Sequence, residues 1–281
     1  MPEPGPGGTR PGEPAFTERT PRVTAARRLT RRSERNATRR FLAEGAPAVS
    51  AALAQAETAV VELLGTERAL ARNPELVRLA GRRSVPVSTV TERGMAGLSE
   101  TASPQGLVAV CRFLDIGLAE LVAGGPRLVV LLAAIRDPGN AGTVLRTAEA
   151  VGAGAVVFST ASVDPYNGKC VRASAGSLFH LPVARSVDPA EAVAALAAAG
   201  FAVLAATATG EVRLADIGRS VTPGRPVAWM FGNEAGGLPD ELAAAADARV
   251  RIPIVGRAES LNLAAAAAIC LYETAQARHG G

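Results

Sequence analysis

The sequence predicts an α/β fold, a mostly parallel sheet covered by helices, preceded by a small α/β domain. Two observations predict it. From Arg127 onward short, wholly apolar runs alternate with helical segments, and strands buried on both faces read as such runs because neither side meets water. Between about residues 31 and 113 the same element types recur on the scale of a smaller mixed domain, and 281 residues suffice for two compact units.

Residues 1–30 are expected to be a disordered basic leader: up to about residue 25 Pro and Gly recur and large apolar groups are few, so burial cannot offset ordering entropy. In the small domain, placed at 31–115, 47–56 and 73–80 predict helices, and 58–64, 85–90 and 106–113 predict strands, with Ser103 and Pro104 supplying turn chemistry. A linker is placed at 116–126, ending in the Gly124-Gly125-Pro126 break. In the large domain, 127–281, strands are predicted at 127–135, 155–159, 201–206, 226–231 and 250–254. Helices are predicted around 142–151, 189–199, 239–246 and 261–277. Ligands on such sheets bind in the loops beyond the carboxyl ends of the strands, so chemistry is sought after Ile135, Phe231 and Ile254.

Charge is unevenly spread. The formal net charge is +4, but residues 1–40 hold ten Arg against Glu3, Glu13, Glu18 and Glu34, a local +6 that leaves about −2 for the rest. Such blocks contact phosphate backbones through counterion release, or stand as solvated tails. Arg outnumbers Lys 29 to 1 in an Ala-rich chain, which reflects codon composition as well as guanidinium chemistry. Cys111, Cys170 and Cys270 lie far apart, and His180 and His279 are the only histidines. This pattern fits a reduced compartment and offers no metal site. With neither a secretory signal nor a bilayer-length apolar run, the expectation is a cytoplasmic protein.

Three loops carry candidate chemistry. The first, Arg136-Asp137-Pro138-Gly139-Asn140-Ala141-Gly142, leads to Arg146. Asp137 and Asn140 would serve as helix caps, but Arg146 falls among the apolar Val144, Leu145 and Ala148 and needs a partner, for which phosphate is suited. The second, Gly232-Asn233-Glu234-Ala235-Gly236-Gly237-Leu238-Pro239, reads as a tight strand-to-helix turn. It is neither a Walker A loop nor a dinucleotide fingerprint, and a turn does not explain Glu234. In the third, Ile252-Pro253 precedes Glu259-Ser260-Leu261-Asn262, where Ser260 or Asn262 would cap the next helix.

Together the loops resemble the three signature motifs of the SpoU (TrmH) branch of the SPOUT methyltransferases. Asn140-x-Gly142-x3-Arg146 matches the first, 232–239 the second, and Ile252-Pro253 with 259–262 the third. The match spans about residue 127 to the C-terminus. The stretch 169–182 resembles the family's segment between the first two motifs, and 39–45 resembles, more faintly, the opening of an L30-like substrate-binding domain.

The resemblance implies a C-terminal trefoil knot, a homodimer, and S-adenosyl-L-methionine-dependent methylation of a ribose 2'-hydroxyl in structured RNA, with 23S ribosomal RNA favoured over transfer RNA by the preceding domain. No metal is required. Carried over by motif, Gly232, Asn233, Gly237, Ile252 and Leu261 would hold the cofactor. Arg146 would grip phosphate or stabilise the developing alkoxide, with Asn140, Glu234, Ser260 and Asn262 positioning it and the ribose. Arg31, Arg32, Arg39, Arg40 and Arg172 would contact RNA. The family includes enzymes that confer antibiotic resistance. A non-catalytic RNA-binding or assembly protein of the same fold is the main competing class, and a nucleotide-binding oxidoreductase is disfavoured by the missing glycine fingerprint.

Overall fold

In the computed structural model the described residues are 13–55, 59–101, 104–217 and 224–279. The chain divides into two compact units, Met1–Leu114 with Tyr166–His180, and Asp115–Pro165 with Leu181–Gly281.

The first unit contains α1 (Pro21–Arg28), α2 (Arg32–Thr38), β1 (Arg40–Glu44), α3 (Ala46–Ala54), β2 (Val60–Gly65), α4 (Glu67–Arg72), α5 (Pro74–Arg82), β3 (Val87–Thr89), α6 (Glu92–Ala96) and β4 (Leu107–Arg112). Its sheet runs β1-β4-β2-β3; β4 is antiparallel to both neighbours and β2 is parallel to β3. Leu42, Leu64, Val108 and Val110 form one face and cluster with Val23, Ala26 and Leu29. The alternate residues Phe41, Ala43, Leu63, Ala109 and Cys111 are buried as well, so both faces are covered.

Residues 1–12 of the expected leader lie outside the described residues, and from Phe16 onward the chain is built into the first unit. Phe16 bridges to Val90, Pro21 starts α1, and the apolar stripe Val23, Ala26, Leu29 is buried at 5% exposure or less. Three apolar groups at helical spacing supply the burial that composition alone did not reveal. Arg35, also buried, donates to the carbonyls of Leu29 and Thr30 at 3.0 and 2.8 Å, satisfying acceptors at the end of α1. Ser103, expected in a turn, and Thr58, expected at a strand start, lie outside the described residues.

The 166–180 segment, expected within the large domain, belongs to the first unit. Its helix α9 (Gly168–Ala173) packs on β1. Tyr166 stacks on Phe113 with centroids 4.1 Å apart, and Phe179 lies 5.8 Å from Phe41. Arg172 pairs with the buried Glu44 at 3.0 Å.

The second unit contains α7 (Leu118–Ala123), β5 (Leu128–Leu132), α8 (Pro138–Ala150), β6 (Ala155–Ser159), β7 (Val183–Val187), α10 (Pro189–Ala198), β8 (Ala202–Ala206), β9 (Val212–Arg213), β10 (Val227–Phe231), α11 (Asp240–Ala244), β11 (Ala248–Arg251) and α12 (Leu263–His279). The stretch expected as a linker holds α7, because Leu121 is buried in the core with Val129 and Leu196. Seven strands run in the order β7-β6-β5-β10-β8-β11-β9, and every pairing is parallel. Val129, Leu131, Ala228 and Met230 face one layer. Trp229 points the other way and donates its indole N–H to Thr274 of α12 at 2.8 Å. The strand expected at 250–254 is observed at 248–251, since Pro253 has no N–H for the ladder.

Candidate active site

The β5, β10 and β11 strands end on the same edge of the parallel sheet, and their following loops interlock. After β5, Ala134 adopts the left-handed conformation (φ 58°), which sparsely suits a residue with a Cβ. Three hydrogen bonds hold the turn: Ala134 N–H to Ser159 Oγ at 2.9 Å, Ile135 N–H to Ser162 Oγ at 3.3 Å, and Asn233 Nδ2 to the Ala134 carbonyl at 2.7 Å. Asp137 then caps α8, its carboxylate accepting from Asn140 N–H at 2.8 Å.

The loop after β10 closes on itself. Asn233 and Gly237 exchange two backbone hydrogen bonds of 2.9 Å, and Asn233 Oδ1 accepts from Ala235 N–H. A side chain at Gly232 would place its Cβ 2.2 Å from the Gly237 carbonyl carbon, so only glycine fits. Gly237 itself has φ +67°, a region glycine adopts without penalty.

Glu234 joins this loop to the first. Its carboxylate accepts from Arg136 N–H at 3.1 Å, Asp137 N–H at 3.0 Å and Asn140 Nδ2 at 3.1 Å. Partial burial works to raise its pKa, but the two backbone amides and the Asn140 amide outweigh it and hold the carboxyl below its ordinary value. Asn140 Oδ1 in turn accepts from Asn262 Nδ2 at 3.1 Å. Asn262 Oδ1 takes Ala264 N–H at 2.9 Å and so caps α12. One hydrogen-bonded chain, Glu234–Asn140–Asn262, thus ties together all three predicted loops.

Beside it lies a cavity of about 1030 Å³, lined by Gly232, Asn233, Glu234, Gly237, Ile252, Ser260 and Leu261 among others. All five residues predicted to hold the cofactor are on its wall. Of the predicted reacting groups, Glu234 and Ser260 line it and Asn140, Arg146 and Asn262 do not; Glu234 links the wall to Asn140. Arg146 is exposed on α8 and makes no hydrogen bond or ion pair to any described residue. It does not sit among its apolar neighbours, because Val144, Leu145 and Ala148 point to the core while the helical twist turns residue 146 outward. Helical side chains lean toward the N-terminus, which directs its guanidinium back along α8.

Sequence reading missed the loop after β8, whose Thr207, Ala208 and Thr209 also line the cavity. The Thr207 hydroxyl is buried with no hydrogen-bond partner among the described residues. Its signal was slight: Gly210 alone marks the close approach, a Cβ there falling 2.5 Å from the Arg249 carbonyl oxygen.

Of the predicted RNA contacts, Arg31, Arg32 and Arg39 are exposed and Arg40 is half-buried. Arg172 differs, being engaged with Glu44 inside the first unit. Among the described residues no group of three or more His, Cys, Asp or Glu is placed to hold a metal ion, and no helix is long and apolar enough to cross a membrane.

Comparison with known proteins bears on this arrangement. Residues 127–272 match the model of the SpoU rRNA Methylase family, and residues 20–109 match the MRM3-like substrate binding domain. The chain is 33% identical over 246 residues to the 23S rRNA (guanosine(2553)-2'-O)-methyltransferase RlmP of Bacillus subtilis (strain 168), covering 88% of this chain and 92% of the relative. An AdoMet-bound rRNA methyltransferase from Sinorhizobium meliloti superposes with a TM-score of 0.79 at 34% identity, over 92% of this chain and 95% of that one. The SpoU methyltransferase AviRb from Streptomyces viridochromogenes, in complex with the cofactor AdoMet, gives 0.80 at 28% identity, over 94% and 100%. With the family match spanning more than half of its length, the chain belongs to the SpoU rRNA methylase family.

Proposed function

We propose that this protein methylates a ribose 2'-hydroxyl of 23S ribosomal RNA with S-adenosyl-L-methionine as donor. The carrying observation is the Glu234–Asn140–Asn262 chain beside a cavity whose wall holds the five cofactor residues read from the sequence. The names of the relatives support the substrate class.

The cavity suits the cofactor chemically. Ile252, Leu238 and Leu261 offer apolar surface for an adenine, the glycine loop exposes peptide groups, and the buried Thr207 hydroxyl has no partner among the described residues. When bound, the cofactor supplies an electrophilic methyl group on a sulfonium. The guanidinium of Arg146, which has no partner among the described residues, binds the phosphate beside the target ribose and stabilises the developing alkoxide as the hydroxyl passes its proton to solvent water and its oxygen takes the methyl from the sulfonium. Glu234 is no base, because three donors already occupy its carboxylate; it and Asn140 fix the Arg136–Asn140 turn that opens α8, the helix that carries Arg146. Ser260 and Asn262 set the third loop against that turn.

The first unit presents the RNA. By sequence its residues carry nineteen cationic and eleven acidic groups, +8, against −4 for the second unit. A shared codon bias does not explain that segregation, whereas phosphate binding does. A trefoil knot and a homodimer complete the proposal. Ile269 and Tyr272 of α12, 41% and 58% exposed, with Leu261 and Ile254 before it, are apolar groups that a second copy would cover. Free, buried cysteines and the lack of a described membrane helix support a cytoplasmic location.

Transfer of labelled methyl from S-adenosylmethionine to unmodified 23S rRNA transcript, with mapping of ribose methylation, tests this function. Failure of the protein to retain the donor in calorimetry, with or without RNA, would sink it.

A further inference from the structure

We infer that Arg40 and Arg112 form a clasp for a single RNA phosphate on the first unit. The clasp rests on the rRNA substrate proposed for this protein and adds a residue, Arg112, that the motifs do not mark.

The two residues are direct cross-strand partners at the end of the β1–β4 ladder. Phe113 N–H donates to the Arg39 carbonyl at 3.0 Å, which makes the neighbouring Arg40–Arg112 pair a non-hydrogen-bonded one. Side chains are closest at such pairs, with Cα atoms about 4.5 Å apart. Both point to the same side of the sheet as Leu42 and Val110, the side on which α1 packs. Like charges directly opposite each other destabilise a sheet, yet neither guanidinium has a hydrogen bond or ion pair to any described residue. The two buried acids among the described residues of this unit are taken elsewhere, Glu44 by Arg172 at 3.0 Å and Glu62 by Arg22 at 3.2 Å, and Glu34 of α2 pairs with Arg28 at 2.7 Å.

Two adjacent planar cations without a carboxylate partner among the described residues suit an oxyanion that accepts from both at once. The flank is organised to match. Arg39, at φ +50°, ends α2, and its guanidinium lies over the Phe113 ring 5.1 Å from the centroid. That holds the backbone on either side of the clasp, while Arg31 and Arg32, at the start of α2, are exposed and make no ion pair with a described residue, adding to the positive charge of the unit. A phosphodiester is favoured over an acidic protein segment because the unit's charge is strongly positive and the family acts on rRNA.

Arg40→Gln, Arg112→Gln and the double variant would be assayed by filter binding to unmodified 23S rRNA transcript over a KCl series. Each single change is expected to weaken binding about tenfold and lower the log–log salt slope by about one. The double variant should lose little more, because one phosphate is shared. Inorganic phosphate should raise the Tm of the wild type and not of the double variant, whereas Arg112→Lys keeps part of the effect. Wild-type affinity and slope in both single variants, or equal stabilisation of the double variant by phosphate, would overturn the clasp. So would a loss of binding to polyglutamate with rRNA binding intact. Methyl transfer by the wild type, run alongside, separates failure of the clasp from failure of the proposed rRNA substrate, and the phosphate arm tests the clasp in either case.

Discussion

Asn262 Nδ2 donates to Asn140 Oδ1 at 3.1 Å, joining residues 122 positions apart. Because Asn140 also donates to Glu234, its amide orientation is set from both sides. Asn140→Ala is expected to release both partners and lower kcat by about 10²-fold or more, as misplacement of a catalytic constellation does. Steady-state kinetics on 23S rRNA transcript measure it; an unchanged kcat would leave the chain merely structural.

Arg146→Ala should abolish methylation while donor binding survives, since Arg146 is not on the cavity wall. Calorimetry with S-adenosylmethionine and a methyl-transfer assay give the two readings. Near-normal turnover would refute the assignment.

Gly232→Ala should have the opposite profile. Its Cβ would meet Gly237 backbone at 2.2 Å, so the loop must reopen and the cavity wall with it. Donor affinity should fall at least tenfold with the sheet intact by circular dichroism; wild-type affinity would show that the loop does not hold the cofactor.

Glu234 gives a pH signature. Its folded pKa is depressed, so its contribution is present above the ordinary carboxylate value, about 4.3, and is lost as pH falls through the folded value. Donor affinity should therefore decline on acidification below the usual carboxylate range. In Glu234→Gln that acid limb should be absent. An identical limb in both proteins assigns it to another group.

Thr274→Val leaves the buried Trp229 N–H without its acceptor. The expected loss is about 1–3 kcal/mol of stability, read by denaturant unfolding. For the first unit, deletion of residues 1–30 removes the buried Ala26 together with Val23 and Leu29, the last two worth about 1.5–3 kcal/mol each. That protein should unfold at lower denaturant concentration than the full chain.

The parallel sheet and the three loops at its carboxyl edge were legible in the residues themselves, and the motif resemblance added five residues of the cavity wall, though not the loop after β8. Apolar runs such as 128–132 can be satisfied only between two layers, and small residues beside Asn and Glu at strand ends carry a local signature. Long-range packing was needed to establish that α1 belongs to the first core, that Tyr166–His180 folds with that unit, and that Arg172 is spent on Glu44. The same holds for the outward face of Arg146 and for the meeting of Arg40 with Arg112 across a ladder. These depend on partners dozens of positions away. A charge or a short apolar stripe takes its meaning from what packs against it, and no local pattern records that.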